Sequence, residues 1–170
     1  MRNIELKARC ADLAAVEERA RRLGARCMWT RRQRDTYFPA PDGRLKLREE
    51  PGRPAQLIAY VRADAARARP SDYLIYATRD ADSLRETLAA ALGIRAVVEK
   101  ERTLYLWRST RIHLDRVAGL GDFVELETVL GDQSDAAGEA ELREAAAALG
   151  INTADIEPRG YVDLLLAVGD

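Results

Sequence analysis

Apolar and charged side chains alternate twice between residues 110 and 130. Thr110-Arg111-Ile112-His113-Leu114-Asp115 puts Arg111, His113 and Asp115 on one face of a strand. Phe123-Val124-Glu125-Leu126-Glu127 puts Glu125 and Glu127 on one face of the next. Gly119 and Gly121 supply the turn between them, so the pattern predicts an antiparallel hairpin with two charged faces. On one hairpin such a face is ordinarily the wet side of a sheet. Here the design recurs along the chain, with basic and acidic members on different strands, and points to a barrel lined with charge.

In chain order, residues 4–9 alternate Ile4, Leu6 and Ala8 with Glu5, Lys7 and Arg9, predicting a strand. Asp12 caps a helix striped by Leu13, Val16, Ala20 and Leu23 and stopped at Gly24. Residues 27–38 carry the basic run Arg31, Arg32 and Arg34, which reads as a solvated edge, before a turn rich in Pro and Gly. Arg44-Leu45-Lys46-Leu47-Arg48 has an entirely basic face, and strands follow at 57–62 and 72–78, separated by an Arg and Ala loop at 63–70. A second helix, capped by Asp80 or Ser83, has Leu84, Leu88 and Leu92 as its stripe and Gly93 as its stop. In the strand at 97–106, Lys100 and Arg102 share one face and Glu99 and Glu101 the other, so periodicity leaves open which is inside. A third helix spans 135–149, and the tail after Glu157-Pro158-Arg159-Gly160-Tyr161 reads as a short helix returning its leucines to the barrel.

Composition narrows what the barrel can be. The chain has 170 residues, 47% hydrophobic and 32% charged, enough for one domain, 1–170, with an ordinary core. Its net charge of -1 argues against holding nucleic acid by bulk charge, so any anion site is local. Two cysteines, Cys10 and Cys27, make no disulfide framework and lack metal-ligand spacing. The first residues form no apolar signal region, and no run reaches the length of a membrane span. The expectation is a soluble, cytoplasmic protein with no nucleic acid or membrane partner.

Enclosing charge costs several kcal/mol per ion unless opposite charges pair, water remains, or a charged ligand and metal fill the space. Segregation of basic from carboxylate strands favours the last. Lys and Arg forks suit the oxygens of a triphosphate, and carboxylates at i and i+2 on a strand point the same way and suit a hard cation.

The ordered set Glu5-Leu6-Lys7, Arg44-Leu45-Lys46-Leu47-Arg48, Glu99-Lys100-Glu101-Arg102, Ile112-His113-Leu114-Asp115, Gly119-Leu120-Gly121-Asp122-Phe123-Val124-Glu125-Leu126-Glu127 and Glu157-Pro158-Arg159-Gly160-Tyr161 resembles the CYTH family of triphosphate tunnel metalloenzymes. Within it, the Gly-Leu-Gly-Asp-Phe turn and the tail are most similar to the class IV adenylyl cyclase branch. The resemblance implies an α+β fold, a closed eight-stranded antiparallel β-barrel with helices packed outside. It implies Mg²⁺ or Mn²⁺ as cofactor and a triphosphate-containing small molecule as partner: ATP, inorganic triphosphate or thiamine triphosphate. Lys7, Arg48, Arg62, Lys100 and Arg102, with Lys46 and Arg111 in addition, would hold phosphate oxygens. Glu5, Glu125 and Glu127 would be the metal carboxylates, and Lys7, Glu125 and Asp115 the catalytic residues. A homodimer is the candidate assembly. One departure stands out: where the family has Glu-x-Glu-x-Lys, this chain has Asn3-Ile4-Glu5-Leu6-Lys7, an amide that can ligate through its carbonyl without contributing charge.

Two reactions suit one such lumen. A cyclase presents the α-phosphorus to the ribose 3′-hydroxyl and releases pyrophosphate; a triphosphatase presents the terminal phosphorus to water. A non-catalytic triphosphate-binding module is the third reading, which Asn3 keeps open. His113, the single histidine, is either a base or a polar wall residue beside Asp115. Tyr37, Tyr60 and Tyr161 are either stacking platforms or packed aromatics.

Overall fold

In the computed structural model, which describes residues 2–61 and 69–168, the alternating stretches form eight antiparallel strands. They are β1 (Arg2–Arg9), β2 (Arg26–Phe38), β3 (Arg44–Glu49), β4 (Ala55–Val61), β5 (Arg69–Thr78), β6 (Ala96–Trp107), β7 (Thr110–Val117) and β8 (Gly121–Val129). The helices are α1 (Leu13–Arg22), α2 (Ala81–Leu92), α3 (Asp135–Leu149) and α4 (Tyr161–Val168), so the class is α+β as expected. The strands lie in the order β1-β5-β4-β3-β2-β6-β7-β8 and curl strongly, and β1 also pairs with β8 from Asn3↔Val129 to Arg9↔Phe123.

The sheet puts charge on its concave face and grease on its convex one. Ile4, Ile112, Leu114, Val124 and Leu126 point outward from β1, β7 and β8 and are covered by Leu13, Val16 and Ala20 of α1 and Leu142, Ala145 and Leu149 of α3. Burying each of the larger side chains contributes about 1.5–3 kcal/mol. Leu84 and Leu88 of α2 cover Phe38, Leu47 and Ala55. The fourth helix does something different: Tyr161, Val162 and Leu164 pack on Val98, Val117 and Phe123 across one end of the curled sheet, with the Phe123 and Tyr161 rings edge to face at 5.0 Å.

Local chemistry fixes the element ends. Asp12 accepts from the backbone N–H of Ala15, Asp80 from Ser83 and Ser134 from Ala137, so Asp80 rather than Ser83 caps α2. Gly119 and Gly121 have φ of 75° and 92°, the left-handed region that the tight β7–β8 turn requires and that only glycine enters without strain. The strand expected at 72–78 begins earlier, at Arg69, because Arg69 and Pro70 pair with Glu5 and Ile4 of β1. Arg62, and residues 63–68 of the expected loop, lie outside the described residues. No helix among the described residues is long and apolar enough to cross a membrane.

Candidate functional site

The concave face lines a cavity of about 570 Å³. Glu5 and Lys7 reach it from β1, Lys46 and Arg48 from β3, Lys100 and Arg102 from β6, Arg111 from β7, and Glu125 and Glu127 from β8. The ambiguous strand is thereby resolved: Lys100 and Arg102 face inward and are 6% exposed, while Glu99 and Glu101 face away. Register puts opposite charges side by side at Lys7↔Glu125 between β1 and β8, Arg111↔Glu127 between β7 and β8 and Arg102↔Asp115 between β6 and β7, and it sets two carboxylates together at Glu5↔Glu127.

Two aspartates sit behind the cationic wall. Asp115 is fully buried; it accepts from Arg102 Nε at 2.6 Å and from the Tyr161 hydroxyl at 2.8 Å, and Arg102 Nη2 also donates to it. That same Nη2 donates to Glu125 at 2.6 Å. Burial alone would raise the Asp115 carboxyl, but the charges of Arg102 and Lys100 hold it at about 2. It reaches the cavity through its partners Arg102, Lys100 and Tyr161, which line it. Asp35, on β2, accepts from Lys46 Nζ at 2.8 Å and from Arg48 Nε and Nη2 at 2.7 and 2.8 Å. Burial opposes its ionisation, yet Arg48 and Lys46 keep it well below the usual carboxylate range. Lys100 Nζ hangs between the two, 4.0 Å from Asp35 and 3.7 Å from Asp115.

One carboxylate cannot satisfy several cations, and the lysines show it. Burial, then the neighbouring Arg48 charge, lowers Lys46 to about 7 despite its bond to Asp35. Burial and Arg102 lower Lys100 to about 8. At the other wall, Glu127 collects donors from Asn3 Nδ2, Arg111 Nη1 at 3.3 Å and His113 Nε2 at 3.2 Å. Despite burial it is held at about 2. Burial lowers His113 from its ordinary value, so at neutral pH it is the imidazole N–H bond, with the Arg111 charge, that keeps Glu127 ionised. Lys7 donates to the backbone carbonyl of Arg159 and lies 4.6 Å over the Tyr161 ring.

Several cavity residues were not singled out from sequence: Trp29, Gln33, Glu50 and Tyr73 line it, and Asp35 anchors it, while Arg31, expected on a solvated edge, lines it as well. The basic run concealed those on β2. On β2 the alternation Arg31, Gln33, Asp35, Tyr37 is the inward face, whereas Arg32 and Arg34 are exposed as a solvated edge should be. Tyr37, Tyr60 and Tyr161 all line the cavity as well.

The donor chemistry for a divalent ion fits. Glu5, Glu125 and Glu127 bring carboxylate oxygens to one wall, and Asn3 Oδ1 is buried there with no hydrogen-bond donor among the described residues. Hard oxygen donors of this kind suit Mg²⁺ or Mn²⁺. Among the described residues, no three His, Cys, Asp or Glu side chains converge as a preformed ligand set. Arg102 on Glu125 and three donors on Glu127 account for that.

A Methanocaldococcus jannaschii protein bearing the name "putative adenylate cyclase" is 26% identical over 175 residues, spanning 96% of this chain and 98% of its own length. Among solved structures, a Pyrococcus horikoshii protein matches with a TM-score of 0.86 at 24% identity, covering 95% of this chain and 98% of that one. A Hippeastrum protein named as a putative adenylyl cyclase, and credited with a dominant triphosphatase activity, matches with a TM-score of 0.61 at 16% identity over 98% and 95% of the two chains. The CYTH domain pattern covers residues 1–161. With the charged concave sheet and the end-capping helix in place, this chain belongs to the CYTH domain family.

Proposed function

We propose that this chain is one domain whose sheet acts as a closed triphosphate tunnel, and that it is a metal-dependent enzyme converting ATP to cyclic AMP and pyrophosphate. The observation that carries the reading is segregation across one lumen. Lys46, Arg48, Lys100 and Arg102 stand on β3 and β6, with β2 between, and Glu5, Glu125 and Glu127 on β1 and β8. In this reading the four cations, with Lys7 and Arg111, bind the phosphate oxygens, and Arg62 joins them by family likeness. Asp115 acts by fixing the Arg102 fork. Glu5, Glu125 and Glu127 would hold Mg²⁺ or Mn²⁺, which would supply neutralisation of charge on the phosphates. Arg102 exchanges Glu125 for a phosphate oxygen, which would leave that carboxylate available as a metal ligand. The ribose 3′-oxygen bonds to the α-phosphorus, its proton passes to solvent, and the bond to the pyrophosphate oxygen breaks.

Hydrolysis is the second reading, favoured by the triphosphatase activity credited to the Hippeastrum protein of the same fold. There water attacks the terminal phosphorus, its proton passes to solvent, the bond to the bridging oxygen breaks, and the diphosphate leaves with orthophosphate as the other product. Offering ATP, inorganic triphosphate and thiamine triphosphate in turn, with Mg²⁺ or Mn²⁺, and identifying products separates the readings. Cyclic AMP with pyrophosphate supports the first and orthophosphate the second. Tight triphosphate binding by calorimetry with no product from any of the three would leave a binding module and defeat both.

A further inference from the structure

Asp35 lies mid-strand on β2, 1% exposed, behind cations that line the cavity. Its two oxygens meet the Nε and Nη2 of Arg48 at 2.7 and 2.8 Å and Nζ of Lys46 at 2.8 Å. A guanidinium fork beside an ammonium is the arrangement those same groups would offer a phosphate. Asp115 is differently placed: it takes a hydroxyl bond from Tyr161, and its Arg102 partner has a second anion in Glu125. Among the described residues, the hydrogen-bond donors on Asp35 are Lys46 and Arg48 alone. An anion in this position has two opposed effects. It keeps the fork and the ammonium ordered in a buried wall, where cations without a partner would be costly. It also competes with any polyanion for the same N–H groups.

We infer that Asp35 is a positioning residue that stands in for a phosphate group when the lumen holds no ligand: it orders Lys46 and Arg48, gives up part of their hydrogen bonding when triphosphate enters, and holds ground-state affinity down so that the product can leave. The inference rests on the triphosphate reading of the lumen. Its test is calorimetric titration of inorganic triphosphate into wild type and Asp35→Asn in metal-free buffer, with circular dichroism and a cooperative melt confirming that the variant is folded. The variant should bind about ten-fold more tightly or better, because one negative charge leaves the wall beside a bound polyanion. A merely structural aspartate would instead lose affinity together with stability. A folded Asp35→Asn that binds no more tightly than wild type overturns the inference and leaves the lumen reading standing. Wild type that binds no triphosphate overturns both. Should the variant not fold, wild type decides: the Arg48 Nε–H resonance should shift on saturation with inorganic triphosphate, and an unmoved resonance overturns the hand-over.

Discussion

Lys46 and Lys100 carry strongly pH-sensitive charge in the lumen, because each is buried and each lies beside an arginine that shares its aspartate. Their values of about 7 and about 8 lie well below the ordinary lysine range, which sets two opposite trends. Triphosphate affinity should be greatest below pH 7 and fall as pH rises through 7 to 8, since both groups lose the charge that phosphate needs. Folding stability should move the other way. Between these values and the ordinary lysine value, the unfolded chain binds more protons than the folded one, so stability rises with pH across that window. Calorimetric titration of inorganic triphosphate and urea denaturation, each run on both sides of the window, read the two trends separately; affinity that stays level from pH 6 to 9 would mean that neither lysine meets the ligand. The inward cations were legible in sequence as a type, because Lys46 and Arg48 alternate with Leu45 and Leu47. Asp35 was not, because a carboxylate among arginines looks like ordinary surface pairing until register shows Arg48 directly across from it.

At the scale of elements, alternation and capping chemistry made most of the fold readable: Asp12 and Gly24 around α1, Asp80 and Gly93 around α2, and the glycine turn between β7 and β8. What they could not give was pairing at a distance. The start of β5 is set by β1, far away in sequence, and the inward face of β6 by Asp115 on β7. The alanines of α3 suit close packing on the sheet, and Gly138 shows how close it is. A Cβ at that position would overlap Leu130 Cδ2 and press on Ile4 Cδ1, both in the core between helix and sheet. Gly138→Val should therefore lose about 2 kcal/mol by overpacking, even after its modest gain in helix propensity over glycine. A thermal melt should show a fall of roughly 5 °C. An unchanged melting temperature would mean that α3 can lift from the sheet at little cost.

For the whole molecule, the arrangement is a core turned inside out, with apolar layers between sheet and helices and ions in the centre. Such a centre needs control of water, since screening weakens every charge pair in it. At one end that control falls to α4: Tyr161 is 6% exposed, its ring carries Lys7 at 4.6 Å and Lys100 at 4.9 Å, and its hydroxyl bonds Asp115. The two parts of this side chain can be separated. Tyr161→Phe keeps the ring in place and removes one buried hydrogen bond, a loss of about 1 kcal/mol, with little effect on the pH dependence of triphosphate affinity. Tyr161→Ala removes the stopper as well, costs about 3–5 kcal/mol, and admits water beside Lys100. With its burial relieved, Lys100 regains its proton at higher pH, so the fall in affinity that wild type shows near pH 8 should move upward in Tyr161→Ala and stay put in Tyr161→Phe. A folded Tyr161→Ala with the wild-type pH profile would show that the lumen stays dry at that end without the ring, and that the low basicity of Lys100 owes more to Arg102 than to α4.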